Sequence, residues 1–226
     1  MVTDPPYGVT SLPWDRWQNG WLEAVADSDI SSLWCFGSMR MFLEHAQEFA
    51  ATRWKMSQDV VWEKHNGSSF HADRVRRVHE HVLHFYRGPW SKVWKQPQTT
   101  PDAVAKTARR KARPPHMGDI GGGEFTSYDG GPRLLRSVVR MRSMHGRARH
   151  PTEKPIGLLA PLIRYVAAPG ETIIDPFCGS GSALEAALLT GHRAIGIESH
   201  EPYAEIAALR LSQNIFLNDN YSGDAS

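Results

Sequence analysis

The sequence predicts an α/β protein with a doubly wound, Rossmann-like sheet. Three observations carry that prediction. Residues 172–175 (TIID), a glycine-containing loop at 176–182 (PFCGSGS), a helical stretch at 183–190 and residues 193–197 (RAIGI), ending at Glu198, form one strand–loop–helix–strand–acid unit. Apolar runs at 31–36 (SSLWCF), 59–63 (DVVWE) and 81–86 (HVLHFY) read as further strands. Segments of helical spacing lie among them, at 17–25, 39–51 and 155–167.

The elements follow in order. Met1, Val2 and Thr3 form a strand stub that ends in Asp4-Pro5-Pro6-Tyr7. Two prolines hold φ near −65° and donate nothing, so the chain leaves the sheet in a stiff, extended turn. Trp17, Trp21, Leu22 and Val25 share one apolar helical face, and strand 31–36 stops at Gly37-Ser38. In the helix at 39–51, Phe42, Ala46 and Phe49 lie on one side. Residues 65–71 read as a polar loop, 74–78 as a helical turn, and strand 81–86 stops at Gly88-Pro89. From 90 to 149 no core-forming period is visible; proline, glycine and arginine dominate, and residues 106–113 (KTARRKAR) suggest a basic helix stopped by Pro114-Pro115. Order returns with the apolar helix at 155–167, the βαβ unit and a final helix at 203–211.

Composition narrows the function classes. With 226 residues, 41 % hydrophobic and 22 % charged, the chain has the profile of a globular protein with a substantial core. No apolar run approaches the roughly 20 residues of a membrane span, and no signal peptide is expected with Asp4 so near the start. Cys35 and Cys178 are the only cysteines, which argues against a disulfide framework or a zinc site and fits a cytoplasmic protein. Net charge is +2, but residues 101–150 hold eleven Lys or Arg against four acids, +7, which leaves about −5 for the rest. A basic stretch in a mildly acidic body points to a polyanion. Eight tryptophans include candidates for base stacking.

Two constellations carry chemistry. The first is Asp4-Pro5-Pro6-Tyr7: a carboxylate and donor-free carbonyls beside an aromatic face suit a planar ring with an exocyclic amine. The amine would donate to Asp4 and the Pro5 carbonyl, and the ring would stack on Tyr7. The second is the loop Asp175-Pro176-Phe177-Cys178-Gly179-Ser180-Gly181, followed 23 positions after Asp175 by Glu198. A Gly turn lets a ligand approach backbone and helix N-terminus, and an acid ending the next strand can hold a ribose diol. Position alone admits NAD as readily as S-adenosylmethionine. The loop lacks the third small residue of G-x-G-x-x-G, which a dinucleotide benefits from. Both constellations follow strands, so both can face one crevice at the carboxyl ends of the sheet.

DPPYG at 4–8, HPTEKP at 150–155, DPFCGSGS at 175–182 and GIE at 196–198 resemble the motifs of the β-class amino DNA methyltransferases. WEKHNGSSF at 62–70 and VHEHVLHFYRG at 78–88 are similar to further segments of that family. The motif order, catalytic first and cofactor last around an insertion, matches its circular permutation. The resemblance implies S-adenosylmethionine as cofactor, double-stranded DNA as partner and a flipped base as target. It is strongest to phage and restriction-modification adenine enzymes. It implies that Asp4 and Pro5 accept from the target amine and Tyr7 stacks on the base, with Pro6 completing the turn. It further implies that Asp175, Pro176, Phe177, Cys178, Gly179, Ser180 and Gly181 line the cofactor site, that Glu198 holds the ribose, and that Thr152 and Lys154 close the methionine end. Lys106, Arg109, Arg110, Lys111 and Arg113 would bind DNA, and no metal is required. Asp first in the tetrad favours adenine N6. Cytosine N4 and an inactive DNA-binding protein are the alternatives.

The expected organisation is residues 1–89 as the catalytic half, 90–149 as a target-recognition insertion and 150–226 as the cofactor half, in a monomer or homodimer. Family members carry a strand, a Gly-Asp loop and a helix ahead of the catalytic strand. Here Asp4 lies three residues from the start, so three expectations stand: a true start upstream, a reduced sheet, or residues 214–224 as a replacement strand with Gly223-Asp224 as its loop.

Overall fold

In the computed structural model, which describes residues 1–68, 72–110, 123–144, 146 and 148–219, the chain begins with β1 (Val2–Thr3), α1 (Trp21–Ala24), β2 (Ser32–Gly37), α2 (Met39–Glu44), α3 (Ala46–Ala51), β3 (Lys55–Ser68) and β4 (Arg77–Tyr86). Short strands follow: β5 (Thr99–Thr100), β6 (Lys106–Arg110), β7 (Gly123–Ser127), β8 (Arg133–Leu134) and β9 (Val138–Arg140). The last stretch is α4 (Ile156–Val166), β10 (Thr172–Asp175), α5 (Ser182–Leu189), β11 (Arg193–Gly196) and α6 (Glu201–Asp219).

These elements make two compact units. The larger comprises Met1–Gln96 and the described residues from Ser137 onward. Its main sheet has the order β1-β2-β4-β3-β9, in which β4 alone runs against the others. β10 and β11 pair in parallel. β10 lies beside β1, where the Thr3 hydroxyl donates to Asp175 at 2.7 Å.

Strand alternation explains why both faces are covered. In the wholly buried β2, Trp34 and Phe36 point to one side, where Val2, Trp62, Leu159, Ile163, Ile173 and Ala186 join them. Leu33 and Cys35 point to the other, against Trp21, Leu22, Met41, Phe42, Phe49 and Phe85. α4 supplies the first face because Leu158, Leu159, Leu162, Ile163 and Val166 recur at helical spacing. A sheet with helices on both faces is the doubly wound architecture.

The smaller unit, Pro97–Arg136, is made of two antiparallel strand pairs, β5 with β8 and β6 with β7. Asp129 accepts from the Ala105 amide at 2.7 Å, and the Ser127 hydroxyl donates to the Val104 carbonyl at 2.6 Å.

Several local expectations are corrected. Residues 106–110 form β6, not a basic helix: Arg, Lys and Ala favour a helix locally, but pairing with Gly-Glu-Phe-Thr-Ser of β7 supplies the backbone bonds instead. Lys111 and Arg113 lie outside the described residues. Residues 64–68 and 77–78 belong to a long β3–β4 hairpin, with register shifts near Ser57 and between Glu63 and Ser68. The first helix shrinks to the single turn α1, entered through Gly20 at φ 85°. Residues 214–219 continue α6 rather than adding a strand, and 220–224 lie outside the described residues.

Candidate active site

β1 ends at Thr3 and β10 at Asp175, so the turns that follow them open side by side. Between them is a cavity of about 500 Å³, within the ~300–1,000 Å³ usual for small-molecule sites. Asp4 and Pro6 line it from the first turn; Asp175, Pro176, Phe177, Cys178, Gly179 and Ser180 line it from the second. Glu198, Thr152 and Lys154 complete the set brought together. Pro5, Tyr7 and Gly181 are not among the lining residues. The exposed side chains of Lys106 and Arg109 stand on β6 of the smaller unit; Arg110 follows them on that strand.

The glycine loop adopts its shape for steric reasons. Gly179 and Gly181 have φ of 50° and 80°, which side-chain-bearing residues rarely adopt. At Gly181 a Cβ would also come within 3.0 Å of Ala207 on α6. Phe177 packs edge-on against Trp21, with ring centroids 5.5 Å apart. The acid two residues beyond β11 folds back on the loop: Glu198 accepts from the Gly179 amide at 2.9 Å and from the His200 amide at 2.8 Å. Asp175 accepts from Thr3 and from the Phe177 amide at 3.1 Å. Burial nonetheless pushes its carboxyl up to about 7.

At the first turn, one Asp4 oxygen accepts from the Tyr7 hydroxyl at 2.5 Å and the other from the Lys154 ammonium. The Asp4 side chain keeps 20 % exposure, and a carboxylate has about four acceptor positions, so room remains for an incoming donor. Burial raises the Asp4 carboxyl above its ordinary value, while Lys154 works against that rise. Burial, then the charge of Asp4, pushes the Tyr7 phenol well up, so it stays a proton donor.

Sequence reasoning missed several supporting residues. Asp15, buried, accepts four successive amides, from Tyr7, Gly8, Val9 and Thr10, at 2.7 to 3.0 Å. Burial opposes its charge, yet a hydrogen bond from the Thr10 side chain and then the amides of Gly8, Thr10 and Tyr7 hold its carboxyl below the usual range. Its only signal is an acid eleven residues after Asp4 in a loop without apolar period. Glu153 and Arg210 were also unmarked. Arg210 on α6 pairs with Glu153, donates to the Ser180 carbonyl at 2.9 Å and lies 2.7 Å from Glu185. That arginine ties the segment before α4, the glycine loop and α6 into one support. Glu80 and Lys64, inside the segments quoted for resemblance, meet as an ion pair behind Lys154.

A family model described as DNA methylase, covering N6 and N4 methyltransferases, matches residues 1–209. The chain belongs to that family. Among solved structures the chain is similar to the M1.HpyAVI–SAM complex, at 22 % identity over 92 % of this chain and 86 % of that one, TM-score 0.58. It is also similar to PvuII DNA methyltransferase (cytosine-N4-specific), at 14 % identity over 92 % and 78 %, TM-score 0.60. A third is TTHA0409 of Thermus thermophilus complexed with S-adenosyl-L-methionine, at 18 % over 94 % and 85 %, TM-score 0.52. At such identities the likeness is one of fold, and that fold is the methyltransferase sheet expected from the sequence. YubD of Escherichia coli (strain K12), provisionally named a methylase, is 48 % identical over 67 residues, 30 % of each chain. The match thus spans under a third of that relative's length.

Proposed function

We propose that the methylase transfers a methyl group from S-adenosylmethionine to the N6 amine of adenine in DNA. The observation that carries this reading is that Asp4 and Gly179, far apart in sequence, line one cavity of about 500 Å³. The donor set suits the cofactor. Carboxylates at Asp175 and Glu198 flank a loop whose glycines leave the backbone open, and Glu198 lies just past β11, where a ribose diol can exchange for its contacts to backbone amides. Phe177, Gly179, Ser180 and Thr152 would hold the remainder. When bound, the cofactor supplies an electrophilic methyl group.

The chain's own residues prepare the amine. An aromatic amine is a weak nucleophile because its lone pair is shared with the ring. Hydrogen bonds from the amine to Asp4 and the Pro5 carbonyl localise density on nitrogen. Asp15, by gathering four amides, fixes the turn that presents Asp4 and Tyr7. The target base must leave the duplex, at a cost of a few kcal/mol, recovered by stacking on Tyr7 and by these bonds. The smaller unit, with exposed Lys106, Arg109, Phe125 and Tyr128, would supply phosphate contacts and sequence reading.

The test is nucleoside analysis of DNA treated with the protein and methyl-labelled S-adenosylmethionine. Label in N6-methyladenine is expected. Label in N4-methylcytosine would assign the other amine chemistry, and DNA binding without cofactor binding would make the chain a binding protein alone.

A further inference from the structure

Lys154 lies between two carboxylates. Its ammonium donates to Asp4 and sits 3.4 Å from Glu80, whose other oxygen is bound by Lys64. The four charges alternate in sign along a line from the cavity to the β3–β4 hairpin: Asp4, Lys154, Glu80, Lys64. Lys154 is only 5 % exposed and Glu80 12 %. Burying charges is costly unless each has a partner, and here each charge lies beside one of opposite sign. The other titratable groups facing Asp4 are the Tyr7 hydroxyl, His150, Cys35 and Asp175. Burial holds His150 below its ordinary value and Cys35 well above, so neither offers Asp4 a charge at neutral pH.

We propose that Lys154 is a positioning residue for the amine acceptor: it keeps Asp4 ionised and aimed, while Glu80, held by Lys64, draws on the same ammonium from behind. This rests on the reading that Asp4 grips the target amine. A protonated Asp4 would present a hydroxyl where the amine needs an acceptor. The charge balance fits this role. Burial works to lower Lys154, but Asp4 and Glu80 outweigh it and hold the ammonium above its usual range. Burial works to raise Glu80, but Lys154 and then Lys64 bring it down to about 2. Lys154 also lies 5.2 Å from the Phe36 ring and 5.8 Å from the Tyr7 ring, which narrows where its ammonium can go.

Lys154 and Glu80 act on Asp4 in opposite directions, so their variants make opposite predictions. Lys154→Gln removes the cation beside Asp4, so the Asp4 titration midpoint rises by about one pH unit or more. Glu80→Gln removes a like charge and leaves Lys154 to Asp4 alone, so the midpoint falls. Carbon-13 NMR titration of the cofactor-free protein, with labelled aspartate carboxyls and Asp4 assigned through Asp4→Asn, reads both directly. The acid limb of the kcat profile should move the same way, with Lys154→Arg restoring it. An Asp4 midpoint unmoved in both variants, or displaced in the same direction by both, overturns the inference. If Lys154→Gln does not fold, an unmoved or raised midpoint in Glu80→Gln does so alone. Absence of methyl transfer by the unaltered protein would instead count against the proposed function, and the NMR titration would still decide the role of Lys154.

Discussion

The Thr3 hydroxyl donates to the Asp175 carboxylate at 2.7 Å across 172 positions of sequence. This bond joins the strand that delivers Asp4 to the strand that delivers the glycine loop. Thr3 is 1 % exposed and Asp175 3 %, so the bond lies in the protein interior at the wall of the cavity. Thr3→Val keeps the shape and removes the donor. It should cost about 1–3 kcal/mol of stability in urea titration.

Asp175 also makes stability depend on pH. Its folded carboxyl sits at about 7 against an ordinary 3.8, so the folded protein holds that proton more tightly than the unfolded chain. Its contribution is complete below pH 3.8 and drains away as pH rises towards 7. Asp175→Asn abolishes that slope. Relative to the unaltered protein the variant should gain stability across this window, by an amount of order 4 kcal/mol. Glu80 has the opposite sign: lowered from 4.5 to about 2, it stabilises above 4.5 and ceases to as pH falls towards 2. Denaturation midpoints taken from pH 3 to 8 check both.

Asp15→Ala should loosen the turn at residues 7–10 by freeing four amides at once. Methyl transfer should fall by about 10²-fold through misplacement of Asp4 and Tyr7. Cofactor affinity, measured by calorimetry, should change little, because Asp15 does not line the cavity.

Glu198→Ala should act in the reverse sense. It removes the carboxylate ending the βαβ unit and leaves the Asp4 network intact. Affinity for S-adenosylmethionine should drop by about 10- to 100-fold, the worth of hydrogen bonds to a charged group. Calorimetric titration measures it.

Both turns of the cavity were legible in the sequence because each rests on short-range chemistry. Asp4-Pro5-Pro6-Tyr7 is stiffened by its own prolines, and Gly179 and Gly181 mark backbone that only glycine adopts easily. The strand–loop–helix–strand unit followed from periodicity, and its acid from spacing. What depends on distant pairing was not legible. Residues 106–110 carry helix-favouring side chains, and only β7 makes them a strand. Residues 65–68 read as loop because pairing with β4, not apolar pattern, keeps that region extended. Asp15, Glu80 and Arg210 look like surface charges in a sequence; their partners lie 5 to 74 positions away, or in backbone amides that no pattern of side chains reveals.

The most direct test of the shared cleft is an Asp4→Ala protein assayed twice, for S-adenosylmethionine binding by calorimetry and for methyl transfer to adenine in DNA. Binding within a few-fold of the unaltered protein, together with loss of transfer, is the expected result. Transfer at the unaltered rate would contradict it.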